Sequence, residues 1–241
     1  MSRVFMNAAN HVIENLNKTQ AACVEACLRV GRRPEEVNLM AVTKYAADQD
    51  VLTLLESGKI HHIGESRVQQ AVQRWTKPSF AKYDISKHFI GHLQKNKAAQ
   101  AVQLFDFIDS IDNMDTALRL NECARKLNKT LGILVQIKLT DRPTQSGVSF
   151  DEAPLLVKEL KKLDFLRPCG YMAIAPKTDN PQSLRGLFKK VREAFERDFP
   201  PELPQRFLSL GMSEDFETAV EEGSTLPRVG SKLFASNLEG V

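Results

Sequence analysis

The stretch LMAVTKY, residues 39–45, joins a short apolar run to a single lysine just before a helical pattern begins. The run predicts a buried β-strand, because it is short, continuous and bounded by polar residues. Residues 47–57 then repeat apolar side chains at helical spacing. The chain therefore turns from strand to helix just after Lys44, and this strand-to-helix unit recurs along the sequence.

Eight apolar runs of this kind alternate with amphipathic stretches. They predict strands at 37–43, 59–64, 88–93, 104–111, 132–138, 165–174, 206–211 and 226–230. The intervening stretches predict helices at 47–57, 66–74, 96–103, 114–128, 151–163, 183–197 and 215–222, preceded by an extra N-terminal helix from Val4 to about Arg32. Strict alternation indicates a parallel sheet covered by helices, and eight units in 241 residues are typical of a closed (β/α)₈ TIM-type barrel. We therefore expect an α/β protein with one barrel domain over residues 1–241, the alternative being an open, doubly wound sheet.

Composition and charge argue against several classes of protein. Lys and Arg number 33 and Asp and Glu 30, and the resulting charge of +3 is too balanced to indicate nucleic-acid binding. No apolar run approaches the roughly 18 residues of a membrane helix, and the N-terminus lacks a signal-peptide core. We therefore expect a cytoplasmic protein without a membrane partner. The cysteines Cys23, Cys27, Cys123 and Cys169 form no Cys-x-x-Cys pair, which predicts buried thiols and no metal site.

Lys44 lies at the end of the first predicted strand, where (β/α)₈ barrels have their active sites. A lysine there directs its amine over the mouth of the barrel, in a partly desolvated position that suits Schiff-base formation with an aldehyde. For this lysine alone, a solvated side chain in a strand-to-helix loop is the simpler interpretation.

Small residues follow the seventh and eighth predicted strands. Ser209, Met212 and Ser213 lie at the end of strand seven, and Gly230 and Ser231 follow strand eight. Backbone N–H groups at such turns bind anions, and the loops after these two strands frequently hold phosphate. Helix capping explains each turn alone, but the two turns together with the lysine after strand one indicate a ligand that bears a phosphate.

Arg228 lies within the eighth predicted strand, between Pro227 and Val229, and is expected to project into or beside the mouth. A guanidinium donates hydrogen bonds and cannot accept them, so an arginine facing a pyridine nitrogen would keep that nitrogen unprotonated. Pyridoxal 5′-phosphate (PLP), an aldehyde-bearing pyridine with a phosphate, matches the lysine, the anion-binding turns and the arginine together.

Several longer motifs support this hypothesis. They are AVTK (41–44), HFIGHLQKNK (88–97), GYMAIAP (170–176), LSLGMSEDFETAVEEGST (208–225) and RVGSKLF (228–234). Together they resemble the motifs of the pyridoxal-phosphate homeostasis proteins, which are related to the N-terminal barrel of alanine racemase. The resemblance covers about residues 10–235, which is nearly the whole chain.

The resemblance implies a single-domain barrel of PLP fold type III, in which Lys44 binds the cofactor as an internal aldimine and Arg228 meets its ring nitrogen. It places Ser209, Met212, Ser213, Gly230 and Ser231 about the phosphate, with Ser66 and Met172 near the ring. The implied function is intracellular PLP homeostasis, by buffering and delivering the cofactor without a dedicated reaction. It also implies a monomer whose partners are PLP, amino acids and PLP-requiring apo-enzymes.

Three positions depart from the family pattern. Ser66 stands where the family usually has Asn, Gln145 stands at a lysine position, and Ala235 replaces a common Gly. These changes leave the lysine anchor and the phosphate turns intact but alter the contacts around them.

A PLP-dependent racemase is the main alternative. Alanine racemase uses a lysine and a tyrosine from a second domain, and because this chain ends soon after strand eight we expect that domain to be absent. Tyr45 is expected to point away from Lys44 if the strand continues to residue 45, whereas Tyr171 on strand six is placed to reach the ring. An arginine at the ring nitrogen weakens the electron sink that carbanion chemistry needs, which favours a carrier. An aldolase-like barrel without a cofactor and a regulatory protein that has lost PLP remain open.

The histidines and aspartates of the strands have structural interpretations. One histidine of the pair at 61–62 must face the core, and His88 and His92 should share one face of strand three. Asp109 and Asp112, near the end of strand four, either face the mouth or cap the strand. No acidic residue accompanies the histidines at metal-ligand spacing.

Overall fold

The protein is described by a computed structural model that covers residues 2–140, 145–178 and 180–236. Its strands form one parallel sheet in the order β7-β6-β5-β4-β3-β2-β1-β8. They are β1 (Met40–Val42), β2 (His62–Glu65), β3 (Ser86–Phe89), β4 (Phe107–Ile111), β5 (Leu131–Ile137), β6 (Leu166–Ala173), β7 (Phe207–Ser209) and β8 (Arg228–Val229). Residues 1 and 237–241 of the expected domain lie outside the described residues.

Helices connect successive strands and cover the outside of the sheet. They are α1 (Ser2–Arg29), α2 (Asp48–Glu56), α3 (Val68–Trp75), α4 (Pro78–Ala81), α5 (Ala98–Leu104), α6 (Met114–Lys126), α7 (Glu152–Leu160), α8 (Pro181–Asp198), α9 (Phe216–Glu221) and α10 (Ser231–Phe234). Side chains cap two of the longer helices: Asn113 accepts from Thr116 N at α6, and Asn180 accepts from Gln182 N at α8. The short helices α4 and α10 were not expected from the sequence.

The two ends of the sheet meet, so the sheet is a nearly closed barrel. Thr225 N and Leu226 N both donate to Leu208 O, at 3.0 and 3.1 Å, and Arg228 N donates to Gly211 O at 3.0 Å. These bonds join the segment around β7 to the segment that enters β8. The expected (β/α)₈ architecture is thereby confirmed, and the open, doubly wound alternative is wrong.

The strands are apolar on both faces because each face is covered. Every residue of β5 is buried, as expected for a parallel strand between a packed interior and a layer of helices. The barrel interior is filled by Met40, Phe107, Leu134, Cys169, Met172, Phe207 and Leu226. The larger cluster lies between the strands and the surrounding helices. All four cysteines are buried and unpaired, as predicted.

The expected N-terminal helix is α1, and it packs across the outside of the barrel against α2, α9 and α10. Asn15 Nδ2 donates to Leu233 O at 3.2 Å and to Ala235 O at 3.0 Å, which ties α1 to the last helix. Gly31, with φ of +69°, follows the helix in a left-handed conformation that glycine adopts without strain.

The third strand differs from its predicted bounds. β3 ends at Phe89, and the apolar residues after it leave the sheet, so that Leu93 is buried outside any strand. His88 is buried within β3, whereas His92 is exposed beyond its end. The prediction that His88 and His92 share one strand face is therefore wrong. Among the described residues, no helix is both long and apolar enough to cross a membrane.

Candidate functional site

A cavity of about 1190 Å³ opens at the C-terminal ends of the strands. Six of the predicted site residues line it: Lys44, Met212, Ser213, Arg228, Gly230 and Ser231. Three others do not line it. Ser209 and Met172 are fully buried in the barrel, and Ser66 is half-buried in the turn after β2.

Lys44 lies in the turn between β1 and α2 and is half-buried. Its Nζ lies 5.2 Å from the ring centroid of Tyr45, which is 76% exposed and lines the same cavity. The expectation that Tyr45 points away from Lys44 is wrong, because it assumed a strand continuing to residue 45. β1 ends at Val42, so the alternation of side chains does not extend that far.

A buried ion pair beneath this turn fixes its backbone. Arg74 on α3 donates to the backbone oxygens of Thr43 and Ala46, at 2.7 and 2.6 Å. Its partner Glu65, 1% exposed, accepts from Arg74 at 3.0 Å, from Thr43 Oγ1 at 2.7 Å and from Trp75 Nε1 at 3.2 Å. The two carbonyls that Arg74 binds flank Lys44, so the pair determines where the lysine leaves the barrel.

Arg228 projects from β8 into the barrel and is 4% exposed. Its guanidinium donates to Ser209 O at 2.6 Å, to Ser209 Oγ at 2.8 Å and to Ala173 O at 2.8 Å. Burial lowers the pKa of Arg228 to about 10, while the negative charges of Asp109 and Asp215 oppose that shift. At neutral pH the guanidinium keeps its charge, and it presents that charge to the cavity from a rigid position.

The Ser209 hydroxyl is engaged within the barrel. It accepts from Arg228 and lies 3.1 Å from Leu226 O, to which it donates. The resemblance places Ser209 about a phosphate, but here its hydroxyl orients the arginine.

The turns after β7 and β8 meet at the rim of the cavity. Ser213 Oγ lies 3.4 Å from Gly230 N and 3.5 Å from Lys232 N, at the start of α10. At Gly230 an added Cβ would stand 3.0 Å from Val42 O, which is tight for any side chain. Met212 N donates to Asp215 Oδ1 at 2.5 Å and closes the turn after β7. The contacts from Gly230 N and Lys232 N to the Ser213 hydroxyl are long, so these two N–H groups suit a stronger acceptor such as an anion.

Tyr171 lies away from the mouth. It is fully buried among the helices, and its hydroxyl donates to Asp198 at 2.6 Å while its ring packs edge-on against Phe199. The idea that Tyr171 reaches the ring of a bound cofactor is wrong. A register shift between β5 and β6 adds a residue near Gly170, whose φ is +152°, and this bulge turns Tyr171 outward.

Gln145, at the family's lysine position, ties two loops together. Its Oε1 accepts from Thr140 N at 2.8 Å and from Leu139 N at 3.2 Å, and its Nε2 donates to Ile174 O at 2.8 Å. The glutamine thus links the loop after β5 to the end of β6. Asp112 accepts from Asn113 Nδ2 at 2.7 Å next to the helix cap.

The strand aspartate and histidines form a hydrogen-bonded chain in which His88 and Asp109 are buried and His62 is half-buried. His62 Nδ1 lies 3.0 Å from His88 Nε2, and His88 Nδ1 lies 3.0 Å from Asp109 Oδ1. The structural interpretation of His62 as a core-facing histidine is therefore confirmed, and Asp109 faces the interior. Within the described residues, no three His, Cys, Asp or Glu side chains are grouped as metal ligands.

Sequence reasoning missed three residues that bear on the site. Lys177 is a second, exposed lysine in the cavity, and nothing in its local sequence distinguishes it. Glu65 directly follows the apolar run at 59–64 and is the last residue of β2, and a charge at that position is a usable signal. Arg74 lies in an amphipathic helix, where its contact with the turn around Lys44 cannot be read from spacing.

The fold and the site define a class of barrel with a lysine after β1 and a buried arginine at β8. A family model described as "Alanine racemase, N-terminal domain" matches residues 21–237. Curated relatives then identify the particular family. A pyridoxal phosphate homeostasis protein of Haemophilus influenzae is 33% identical over 94% of this chain and 96% of that protein. Another, from Synechocystis sp., is 37% identical over 85% of this chain and 94% of its own.

A solved structure agrees. PipY of Synechococcus elongatus PCC7942, with PLP bound, has a TM-score of 0.74 and 30% identity over 88% of this chain and all of its own. This chain therefore belongs to the pyridoxal phosphate homeostasis protein family.

Proposed function

We propose that this protein binds PLP in the cavity at the barrel mouth and acts in intracellular PLP homeostasis, as a single-domain carrier of the cofactor. The observation that supports this most directly is the opposition of two cations across one cavity. Lys44 stands at the rim, and the buried Arg228 stands at the floor. The PLP-bound structure of a relative that is 30% identical supports the same ligand.

The residues present fit the cofactor. PLP supplies an aldehyde that condenses reversibly with an amine. Lys44 is the half-buried amine that the turn after β1 holds over the cavity. Arg228 would donate to the ring nitrogen, and the backbone at Ser213, Gly230 and Ser231 would bind the phosphate through N–H groups. Ser66 and Met172 do not line the cavity, so we expect neither to contact the cofactor directly.

A carrier is favoured over a dedicated enzyme by the groups around the cavity. A guanidinium at the ring nitrogen withholds the proton that makes the ring a strong electron sink. Tyr171 is bonded to Asp198 outside the barrel and is unsuited to act as a second base. Reversible attachment and an open mouth are the features that buffering and delivery require.

The decisive experiment compares two lysines of the same cavity. We expect the purified protein with PLP to show a visible absorption band, and borohydride followed by peptide mapping to find the cofactor on Lys44. Lys44→Ala should lose both the band and the adduct. Lys177→Ala, which removes the exposed lysine of the same cavity, should retain both. An adduct on Lys177, or a wild-type protein that stays colourless with added PLP, would contradict the proposal.

A racemase is the second candidate, and one observation favours testing it. Tyr45 lines the cavity next to Lys44, so a phenol is present beside the amine. Exchange of an amino acid's α-hydrogen with solvent deuterium, lost in Tyr45→Phe and in Lys44→Ala, would support the enzyme. No exchange in the PLP-loaded protein would leave the carrier function alone.

We further propose that the protein is a cytoplasmic monomer that exchanges PLP with amino acids and with PLP-requiring apo-enzymes. Four buried, unpaired thiols suit a reducing compartment, and burial raises the pKa of the Cys23 thiol to about 12. Light scattering tests the monomer, cell fractionation tests the location, and transfer of PLP to an apo-aminotransferase tests delivery.

A further inference from the structure

Tyr45 is an exposed aromatic side chain at the mouth, and two cations lie close to its ring. Lys44 Nζ is 5.2 Å from the ring centroid, and the guanidinium carbon of Arg67 is 5.9 Å from it. Among the Phe, Tyr and Trp rings of the described residues, that of Tyr45 alone is approached by two cations. These distances allow a cation–π attraction between the ring and each charge. We call this group of three side chains the rim contact.

A tight turn fixes Lys44 and Tyr45 relative to each other. Ala46 N donates to Thr43 O at 3.0 Å, so Lys44 and Tyr45 are the two central residues of the turn between β1 and α2. Arg67 belongs to the neighbouring turn, between β2 and α3. The Tyr45 ring is therefore contacted from both turns, which limits where it can lie.

The rim contact lies on the solvent side of the cavity. Tyr45 is 76% exposed, whereas Arg228 at the floor is 4% exposed. The ring therefore holds the Lys44 ammonium toward solvent rather than toward the floor. An exposed cation–π pair changes an equilibrium by about two- to five-fold, so it can be broken when a ligand binds and still affect how tightly that ligand is held.

The attraction to the ring is available to Lys44 as long as its amine is free. When an ammonium group condenses with an aldehyde, its nitrogen forms a double bond to the aldehyde carbon. The aldehyde oxygen leaves as water with two of the three ammonium protons, and the nitrogen keeps the third. That nitrogen must then leave the ring to follow a ligand seated against Arg228 at the floor. An attraction present in the free state alone shifts the equilibrium toward that state.

We propose that Tyr45 is a positioning residue that holds the free Lys44 ammonium at the rim and thereby favours release of PLP over its retention. This role rests on the proposed function, because it requires Lys44 to be the amine that binds the cofactor. The aromatic ring provides the attraction and the phenol hydroxyl does not. Tyr45→Phe and Tyr45→Leu therefore separate this role from that of a second base, which needs the hydroxyl.

NMR of the ligand-free protein tests the rim contact without PLP. In protein with ¹³C-labelled lysine, the signal of the Lys44 methylene next to the amine is assigned by its loss in Lys44→Ala. We expect the ring current of Tyr45 to shift this signal and Tyr45→Phe to retain the shift. Tyr45→Leu should abolish it and leave the signal of Lys177, in the same cavity, in place. A Lys44 signal that is the same in Tyr45→Leu as in wild type would overturn the proposal.

Titration of the visible band with PLP tests the effect on release. Tyr45→Leu should bind PLP about two- to five-fold more tightly than wild type and release it more slowly, whereas Tyr45→Phe should restore the wild-type affinity. Loss of a merely structural contact would weaken binding or leave it unchanged. Lys82→Met is the control, because Lys82 Nζ lies 5.0 Å from the ring of Tyr83 before β3, at the opposite end of the barrel, and binding should be unchanged.

The two proposals fail in different ways. If wild type forms the visible band and Tyr45→Leu binds PLP no more tightly than Tyr45→Phe does, the positioning role is overturned while PLP binding stands. A wild-type protein that forms no visible band with PLP overturns the proposed function and the role in release with it. The NMR shift, which is measured without PLP, then still confirms or refutes the rim contact.

Discussion

Replacing Arg74 by Met tests whether the ion pair beneath the Lys44 turn is needed to hold it. The variant loses the bonds to Thr43 O and Ala46 O and leaves Glu65, 1% exposed, as a buried carboxylate without its cation. Breaking a buried pair from one side typically costs about 3–5 kcal/mol, and the Arg74 side chain is itself only 13% exposed. At about 2–4 °C per kcal/mol for a chain of this size, we expect a Tm lower by about 6–20 °C.

The double variant Glu65→Gln with Arg74→Met separates stability from positioning. A glutamine at 65 can still accept from Thr43 Oγ1 and Trp75 Nε1, but no buried charge remains. We expect the double variant to regain at least about 1 kcal/mol of the free energy of unfolding that the single variant loses. Both variants lack the bonds from Arg74 to Thr43 O and Ala46 O, so the turn around Lys44 is held less firmly in both. We therefore expect PLP to dissociate about ten-fold faster from both, a difference of about 1.4 kcal/mol.

Urea unfolding and the decay of the visible band after dilution into a PLP-trapping apo-enzyme measure the two effects. Arg119→Met is the control, because Arg119 forms an exposed pair with Glu122 on α6, and such pairs contribute little. The reasoning fails if Arg74→Met unfolds within about 1 kcal/mol of this control. It also fails if the double variant retains PLP as wild type does.

Three shorter predictions concern the rest of the barrel. Gly170→Ala places a Cβ 1.9 Å from a backbone oxygen of β7 and should prevent folding to a soluble protein. Gly186→Ala has open space on α8 and should raise the free energy of unfolding by about 1 kcal/mol. Tyr171→Phe loses a 2.6 Å hydrogen bond and should cost about 1 kcal/mol in urea unfolding, with the PLP spectrum unchanged. The hydrogen bond from Lys77 lowers the pKa of Asp48, although partial burial opposes this shift. The ionised Asp48 therefore stabilises the folded protein above its unfolded-state pKa, and this contribution is lost as pH falls through its lower folded-state pKa. Asp48→Asn should therefore show a smaller loss of stability between about pH 5 and about pH 3 than wild type does.

The fold could be predicted because each strand is apolar in its own sequence at the positions that become buried. A segment such as β5, buried at every position, reads as apolar whatever its neighbours are. Burial does not specify hydrogen-bond pairing, however. The apolar run at 88–93 continues past Phe89, but Ile90 lines the mouth cavity and Leu93 packs beneath the surface. The end of β3 was therefore misplaced although its apolar residues were identified correctly.

The direction of individual side chains was less predictable than the strands. Lys44 and Arg228 were found because each is a charge next to an apolar strand. Tyr171 was misplaced because strict alternation from Cys169 would point both residues inward, and the bulge at Gly170 interrupts that alternation. Contacts between distant segments, such as that of Arg74 with the Lys44 turn, depend on tertiary packing that no local pattern encodes.

The two cations of the mouth are held in different ways, and this difference bears on how a carrier releases its ligand. Arg228 is fixed by Ser209 and Ala173 in the wall of a packed barrel, so its position cannot adjust without disturbing the interior. Lys44 lies on a half-exposed turn whose carbonyls at Thr43 and Ala46 are held from beneath by Arg74. If PLP binds as proposed, contacts to its ring and phosphate stay preorganised while the bond to Lys44 exchanges, since only the turn has to move. Release should therefore respond to changes in α3 and the turn more than to changes at β8, which locates the control of PLP exchange on the β1–α2 side of the mouth.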